Sequence, residues 1–351
     1  QIAGSDGLAP GIIQVITGTN DCDESGSGDN LADCEINDLD NDFDGVLTQD
    51  NLVTAADDAT AMSQDNGAAI LQAIVAINDC DESSTATGDN TALCGNEGDL
   101  DHEINDVDQS NTAEALDFSV IDQDNNVALS QDLLVENDCD GTDGNDAFCF
   151  SDGGGGDLNV NEISTGITQD NEAHLSTDAV SEQFNELVVA QNVAILNDCD
   201  ETEDGLNSAS CTNVDIINFV GPIDQLSINQ AGDEALGATI AQSNDAQIVQ
   251  ELVVANDCDE SGAGDNLVVC QNLATNFIDD IDGIRQTSSA SVADDFVQNN
   301  LLVISQEIDA TNNCDEFGDG NNGDSGSTQS CINEIANTIG PVDQGNSAAG
   351  T

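Results

Sequence analysis

Apolar residues in this chain fall in short runs of Val, Ile, Leu and Ala, each leading into a cysteine, as in Glu186-Leu-Val-Val-Ala-Gln-Asn-Val-Ala-Ile-Leu196 and Gln247-Ile-Val-Gln-Glu-Leu-Val-Val-Ala255. Their β-branched content, alternating or fully apolar character and length of roughly nine to eleven residues predict buried or half-buried strands. Each run ends in a nearly fixed phrase: Asn20-Asp-Cys-Asp-Glu-Ser25, Asn78-Asp-Cys-Asp-Glu-Ser83, Asn137-Asp-Cys-Asp140, Asn197-Asp-Cys-Asp-Glu201, Asn256-Asp-Cys-Asp-Glu-Ser261 and Asn312-Asn-Cys-Asp-Glu316. Along the sequence, the steps between these cysteines are 58, 59, 60, 59 and 56. Such regularity marks tandem copies of one supersecondary unit. Cut at the cysteines, the repeats are 22–79, 80–138, 139–198, 199–257 and 258–313, with half-repeats 1–21 and 314–351 at the ends.

A finer rhythm runs inside each unit. Gln-x-Asn or related phrases recur at Gln49/Gln64, Gln109/Gln123, Gln169/Gln183 and Gln286/Gln298, with spacings of 15, 14, 14 and 12. A period of that size suits one rung of a β-solenoid, or one strand and its connection in tandem antiparallel β-sandwich units. The fold class is all-β on either reading. The solenoid is favoured because Gln and Asn stacked at equivalent positions form amide ladders of the cross-β kind.

Twelve cysteines make six pairs, Cys22/Cys34, Cys80/Cys94, Cys139/Cys149, Cys199/Cys211, Cys258/Cys270 and Cys314/Cys331. Zinc-type clustering is absent, and one pair per repeat across a Gly/Asp/Ser/Asn loop predicts six local disulfides in an oxidising compartment. Closing loops of this size contributes about 3 kcal/mol each on the chain-entropy account.

Charge changes the picture further. One Arg (Arg285) stands against 71 acidic residues, for a formal net charge of -70. That excludes nucleic acid and acidic membranes as partners. The apolar content of 38% nevertheless argues for a folded chain. At about 14.6 residues and 4.8 Å per rung the solenoid would be a rod about 115 Å long, with one net charge every ~1.7 Å. No apolar run reaches the roughly 18 residues of a membrane helix. A first residue Gln1 is read as the start of a mature secreted chain.

The Gln-x-Asn phrases resemble those of curli-type subunits and similar Gln/Asn-rich repeat proteins of extracellular filaments. The Gly-Asp-Asn-x-x-x-Cys loops are similar to archaeal surface repeat proteins. The resemblance implies a secreted, pilus-like structural fibre built from copies of one chain. The ends of the chain point the same way, since a second copy placed after Thr351 would bring its Cys22 one internal step beyond Cys314, in phase with the repeat. Residues 1–20 are therefore expected to complete the last unit of a neighbour, through Ile12, Ile13, Val15 and Ile16 at one end and Ile339 and Val342 at the other.

Other candidate chemistry is sparser. Hard oxygen donors gather in the cysteine loops at Asp21, Asp23, Glu24 and Asp29, at Asp79, Asp81, Glu82 and Asp89, and at Asp257, Asp259, Glu260 and Asp265. These suit Ca2+ better than a transition metal, or else cap turns and solvate the surface. They motivate a second function class, a monomeric calcium-dependent adhesin or glycan-binding module. Asp40-Asn-Asp-Phe-Asp-Gly45 opens like a calcium loop, but Asn51 stands where its closing Glu belongs. His102 and His174 have no catalytic partner in sequence and read as surface residues. No catalytic residue is assigned, and the chain reads as a structural protein, not an enzyme.

Overall fold

Each described strand pairs in parallel with its counterpart in an adjacent repeat. The computed structural model describes residues 11–22, 31–36, 39–43, 46–55, 60–80, 91–97, 100–139, 146–152, 159–199, 208–231, 238–258, 267–278, 283–291, 295–314 and 328–349. The first sheet has six strands, β1 (Ile12–Asp21), β5 (Ala61–Asp79), β9 (Val120–Asp138), β13 (Val180–Asp198), β16 (Thr239–Asp257) and β19 (Asp295–Asn313), neighbours in that order. The second sheet takes the strands that follow each cysteine loop: β2 (Leu31–Ile36), β3 (Leu39–Phe43), β6 (Thr91–Glu97), β7 (Leu100–Ile104), β10 (Asp146–Asp152), β11 (Asn159–Ile163), β14 (Ser208–Val220), β17 (Leu267–Ile278) and β20 (Thr328–Ile339). The third holds β4 (Leu47–Thr54), β8 (Val107–Glu114), β12 (Ile167–Leu175), β15 (Ile223–Ala231), β18 (Ile284–Ser291) and β21 (Val342–Ala349).

The architecture is a β-solenoid of six coils, each running through the first, second and third sheets in turn. Parallel pairing throughout removes the antiparallel sandwich. One expectation is corrected: the rung is the whole cysteine-to-cysteine repeat, not a quarter of it. Ile12 pairs with Ile70, and Cys34, Cys94, Cys149, Cys211, Cys270 and Cys331 fall in one column. Six coils at ~4.8 Å stand about 29 Å tall, and a 19-residue first-sheet strand spans about 63 Å. The shorter stack concentrates the charge to about 2.4 per Å, well above that of the 115 Å rod.

The finer sequence rhythm has another cause. Gln49 and Asn51 lie on β4 and Gln64 and Asn66 on β5, on either side of the turn from the third sheet into the first. Both triplets face inward, and Asn51 Nδ2 donates to Asn66 Oδ1 across the interior (2.7 Å). A chain that folds back on itself thus mimics a repeat in sequence.

The interior alternates apolar and amide layers. Residues such as Met62, Ile121 and Ile240 meet Ala113 and Ala173 near that turn. Ile70, Leu129 and Val189 meet Ile104, Ile163 and Val220, and farther along Ile74, Leu133 and Ile195 meet Leu100 and Ile216. The cysteines pack with Ala92, Ala147 and Ala209 at the far corner. Between these layers run columns of buried amides.

Gln14, Gln72, Gln131, Gln191, Gln250 and Gln306 make one such column, each Nε2 donating to the Oε1 one coil earlier at 2.7–3.0 Å. A buried amide left unpaired costs about 1–3 kcal/mol, so the column is tolerable only when each member is satisfied. Gln191, with no exposed surface, donates to Gln131 Oε1 and to the carbonyls of Asn161 and Phe219, all at 2.8 Å, and accepts from Gln250.

Gln191→Leu keeps the volume and breaks the column, and is expected to cost about 3 kcal/mol of unfolding free energy in urea titrations. The outward-facing Gln271→Leu should change it by no more than about 0.5 kcal/mol. Equal losses would mean that the column adds nothing to stability.

Candidate functional site

Two features recur from coil to coil, the disulfide corner and the amide columns, and a third, the open strand edge, belongs to the first and last coils described. The disulfide corner follows from the cysteine phrase. Asn at its start faces inward, Asp outward and Cys inward again, which is strand alternation carried to the end of each first-sheet strand. Disulfides join Cys22–Cys34, Cys80–Cys94, Cys139–Cys149, Cys199–Cys211, Cys258–Cys270 and Cys314–Cys331, with Cα–Cα distances of 6.0–6.7 Å. The sulfurs stack: those of Cys139, Cys149 and Cys199 lie within 4.8 Å of one another. This density of disulfides belongs to an oxidising, extracellular-like environment. No helix among the described residues is long and apolar enough to cross a membrane.

The amide columns have a direction. Two further glutamine columns, Gln49–Gln109–Gln169–Gln225–Gln286–Gln344 and Gln64–Gln123–Gln183–Gln242–Gln298, donate towards the earlier coil like the first. Asparagine columns donate the opposite way. Asn20 Nδ2 donates to Asn78 Oδ1 and so on through Asn137, Asn197, Asn256 and Asn312, at 2.9–3.2 Å. Backbone carbonyls across the interior set the orientation, because they need the NH2 group: Gln131 Nε2 also donates to the carbonyls of His102 and Glu162.

At the first coil, therefore, Gln14 presents an amide NH2 and Asn20 an amide oxygen. At the last, Gln306 presents an amide oxygen with no donor among the described residues, and Asn312 an NH2 group. The expected interface residues sit on these two faces. Ile12 and Ile16 turn inward at the open end of the core, while Ile13 and Val15 turn outward and are 68% and 62% exposed. Ile339 ends β20 and Val342 begins β21, both exposed on the opposite face. β1 is paired with β5 along its whole length, so it offers a neighbour its second edge rather than a detached strand.

Of the candidate cation ligands, Asp21, Asp79 and Asp257 end first-sheet strands, in one column with Asp138 and Asp198. Asp23, Glu24, Asp29, Asp81, Glu82, Asp89, Asp259, Glu260 and Asp265 lie outside the described residues. Of the calcium-loop-like phrase, Asp40 to Phe43 lie in β3, where Asn41 points inward and donates to the Ala73 carbonyl (3.0 Å), and Asp44 and Gly45 lie outside the described residues.

His174 is half exposed beside Glu172 (3.5 Å), but the surface reading of His102 is corrected. His102 has no exposed surface and replaces an asparagine in the column Asn41, His102, Asn161, Asn218, Asn276, Asn337. Its signal in sequence was the alternation Leu100-Asp-His-Glu-Ile104, which puts Leu, His and Ile on one face. Asn41 Nδ2 lies 3.4 Å from Nδ1 and the Asp132 carbonyl 3.2 Å from Nε2, which fits the neutral ring protonated on Nε2. Burial lowers its pKa to about 4. That one donor is spent on Asp132, and Asn161 Oδ1 is left without a partner. Sequence reasoning missed this fault in the column.

Carboxyls on the outer faces shift the other way. Burial, then Asp122 and Asp65, raise Asp124 to about 6, and burial, then Asp224 and Asp108, raise Asp170 to about 6 against the opposing pull of Arg285. Asp108, Asp122 and Glu162 are raised for the same first reason. The chain's one guanidinium, Arg285, donates from Nε to Asp224 Oδ1 (3.0 Å).

His102→Asn supplies the missing donor, and is expected to raise stability at pH 7 by about 1–3 kcal/mol in the same titrations. The pH dependence carries both signs. Raised carboxyl pKa values mean that the folded chain holds protons the unfolded chain releases, so stability rises as pH falls from about 6 towards 4. The lowered His102 pKa opposes this, because the unfolded ring takes a proton below about 6.5 that the folded ring refuses until about 4. The melting temperature should therefore climb on acidification from pH 7 to about 5, and climb further in His102→Asn. A fall in both proteins would contradict these assignments.

Compared with known proteins, the chain stands apart: no family model, curated protein or solved structure matches it.

Proposed function

We propose that this chain is a structural subunit of an extracellular filament or matrix, polymerising head to tail as copies stack coil on coil. The observation that carries the reading is the complementarity of the two end faces. The edge of β1 and the edge of β19 belong to one continuing register. Extension by another copy would let Gln14 Nε2 donate to Gln306 Oε1, and Asn312 Nδ2 to Asn20 Oδ1, with the polarity the columns already have. Exposed strand edges with apolar flanks are the surfaces on which β proteins join, and a head-to-tail contact that does not close generates an open fibre. A field of -70 opposes stacking, so assembly is favoured by salt or acid that screens or neutralises it.

Gln14→Glu tests this directly. The remaining oxygen still accepts from Gln72, and within the chain only the exposed bond from Gln14 Nε2 to the Asp42 carbonyl (3.2 Å) is lost, so the coil closes, while the second oxygen faces Gln306 Oε1 of the next copy acceptor to acceptor. The variant is expected to remain a folded monomer at pH 7 under conditions where the wild-type chain forms fibres in electron micrographs. It should recover fibre growth near pH 4, where the new carboxyl is protonated. Fibres of unchanged axial repeat from the variant at pH 7, or none from the wild-type chain in screening salt, would defeat the proposal.

A further inference from the structure

The sulfurs of neighbouring coils meet in a fixed order. Cys149 and Cys199, which belong to successive coils, lie within 4.8 Å of each other, and so do Cys270 and Cys314. In both cases a second-sheet cysteine meets the cysteine that follows the first-sheet strand one coil later. The backbone repeats the relation: Sγ of Cys94, Cys149 and Cys211 lies 3.0–3.2 Å from the carbonyl oxygen of Asp138, Asp198 and Asp257, the residue before the later coil's cysteine. Every cysteine is paired within its own coil, so these are contacts between disulfides. Burial then separates the pairs. The eight cysteines of the four inner coils have no exposed surface. At the ends, Cys22 is half-buried and Cys331 exposed, while Cys34 and Cys314 are 1% and 8% exposed. Each end pair has one open sulfur and one covered sulfur, and the two open ones are those that the stacking order brings together.

We infer that the disulfide corner joins stacked copies covalently, through a bond between Cys331 of one copy and Cys22 of the next. This rests on the end-to-end stacking proposed above. A copy that continues the register sets its Cys22 against Cys331 as Cys314 is set against Cys270. The reaction is thiol–disulfide exchange, with a low-molecular-weight thiol as reductant. Two molecules of that thiol reduce the Cys314–Cys331 bond at a free end and leave as their own disulfide, their two protons passing to the cysteines. Cys331 then gives its proton to water, and its thiolate attacks Cys22 Sγ of the docked copy. The Cys331–Cys22 bond forms, the Cys22–Cys34 bond breaks, and Cys34 departs as a thiolate that takes up a proton. One disulfide replaces another, so this step is redox-neutral. Inner pairs offer a thiol no surface to attack and are spared. The bond also answers the charge: it holds together copies of -70 that would separate once screening salt is diluted.

The test assembles the full chain in screening salt at about pH 8, where a free thiol is partly ionised, with reduced glutathione as the thiol. Free thiols are then capped with iodoacetamide, and the products are separated under denaturing, non-reducing conditions. A ladder of covalent multimers is expected that collapses to monomer on full reduction. Digestion with a Glu-directed protease, chosen because the chain has one Arg, should yield a Cys331–Cys22 peptide, with Cys34 and Cys314 capped. Gln14→Glu keeps every cysteine but not the stacking, and should give at least about tenfold less multimer, because only stacking raises the local concentration of the two sulfurs. Cys314→Ser leaves Cys331 a permanent thiol and should form the ladder without glutathione. The wild-type digest does not depend on any variant folding. Wild-type fibres that dissolve to monomer without reductant overturn the inference and leave the stacking proposal standing. So do multimers joined through an inner cysteine, or equally abundant multimers from a Gln14→Glu chain that forms no fibres. Absence of wild-type fibres overturns the stacking proposal, and this bond with it.

Discussion

The structure depends on one requirement, that each amide buried between the sheets find its partner one coil away. A glutamine in an apolar interior is a liability in isolation. Placed in register with an identical glutamine, it becomes a hydrogen-bonded column that accepts no other side chain of that shape without loss. This sets the register more stringently than the apolar layers can, because a slip of one residue would turn every glutamine and asparagine to the outside. The apolar layers supply the burial and the amide layers supply the address.

The same requirement accounts for how a chain with 71 acidic residues and a single Arg folds at all. Strand alternation sorts the two classes, so that in Asn-Asp-Cys the amide and the sulfur go in and the carboxylate goes out. Acidic residues are excluded from the amide columns, and the carboxyls raised to about 6 are on outer faces where neighbours in adjacent coils crowd them. The disulfide corner then holds each coil shut at the end of its longest strand, where the Asp column is densest.

Much of this was legible in the sequence, and the parts that were not have a physical reason. The long repeat period and the cysteine pairs could be read because both are fixed by position along the chain. The length of the rung could not. Gln49 and Gln64 look like successive copies of one motif, whereas they face each other across a turn, and no one-dimensional period separates a return from a repeat. His102 was misplaced for a related cause: its neighbours in space, Asn41 and Asn161, lie a whole coil away on each side. The assembly residues were read as one group, yet alternation divides them, Ile12 and Ile16 towards the core and Ile13 and Val15 away from it.

The opposed directions of the glutamine and asparagine columns have an electrical consequence. Each side-chain amide carries a dipole comparable to that of a peptide unit, and aligned amides sum, as they do along a helix. Here the glutamine columns sum one way along the axis and the asparagine columns the other, so their moments largely cancel. Adding a coil lengthens both sets together. The stack can therefore grow without building a positive and a negative pole at its ends, and its last coil meets much the same field as its second.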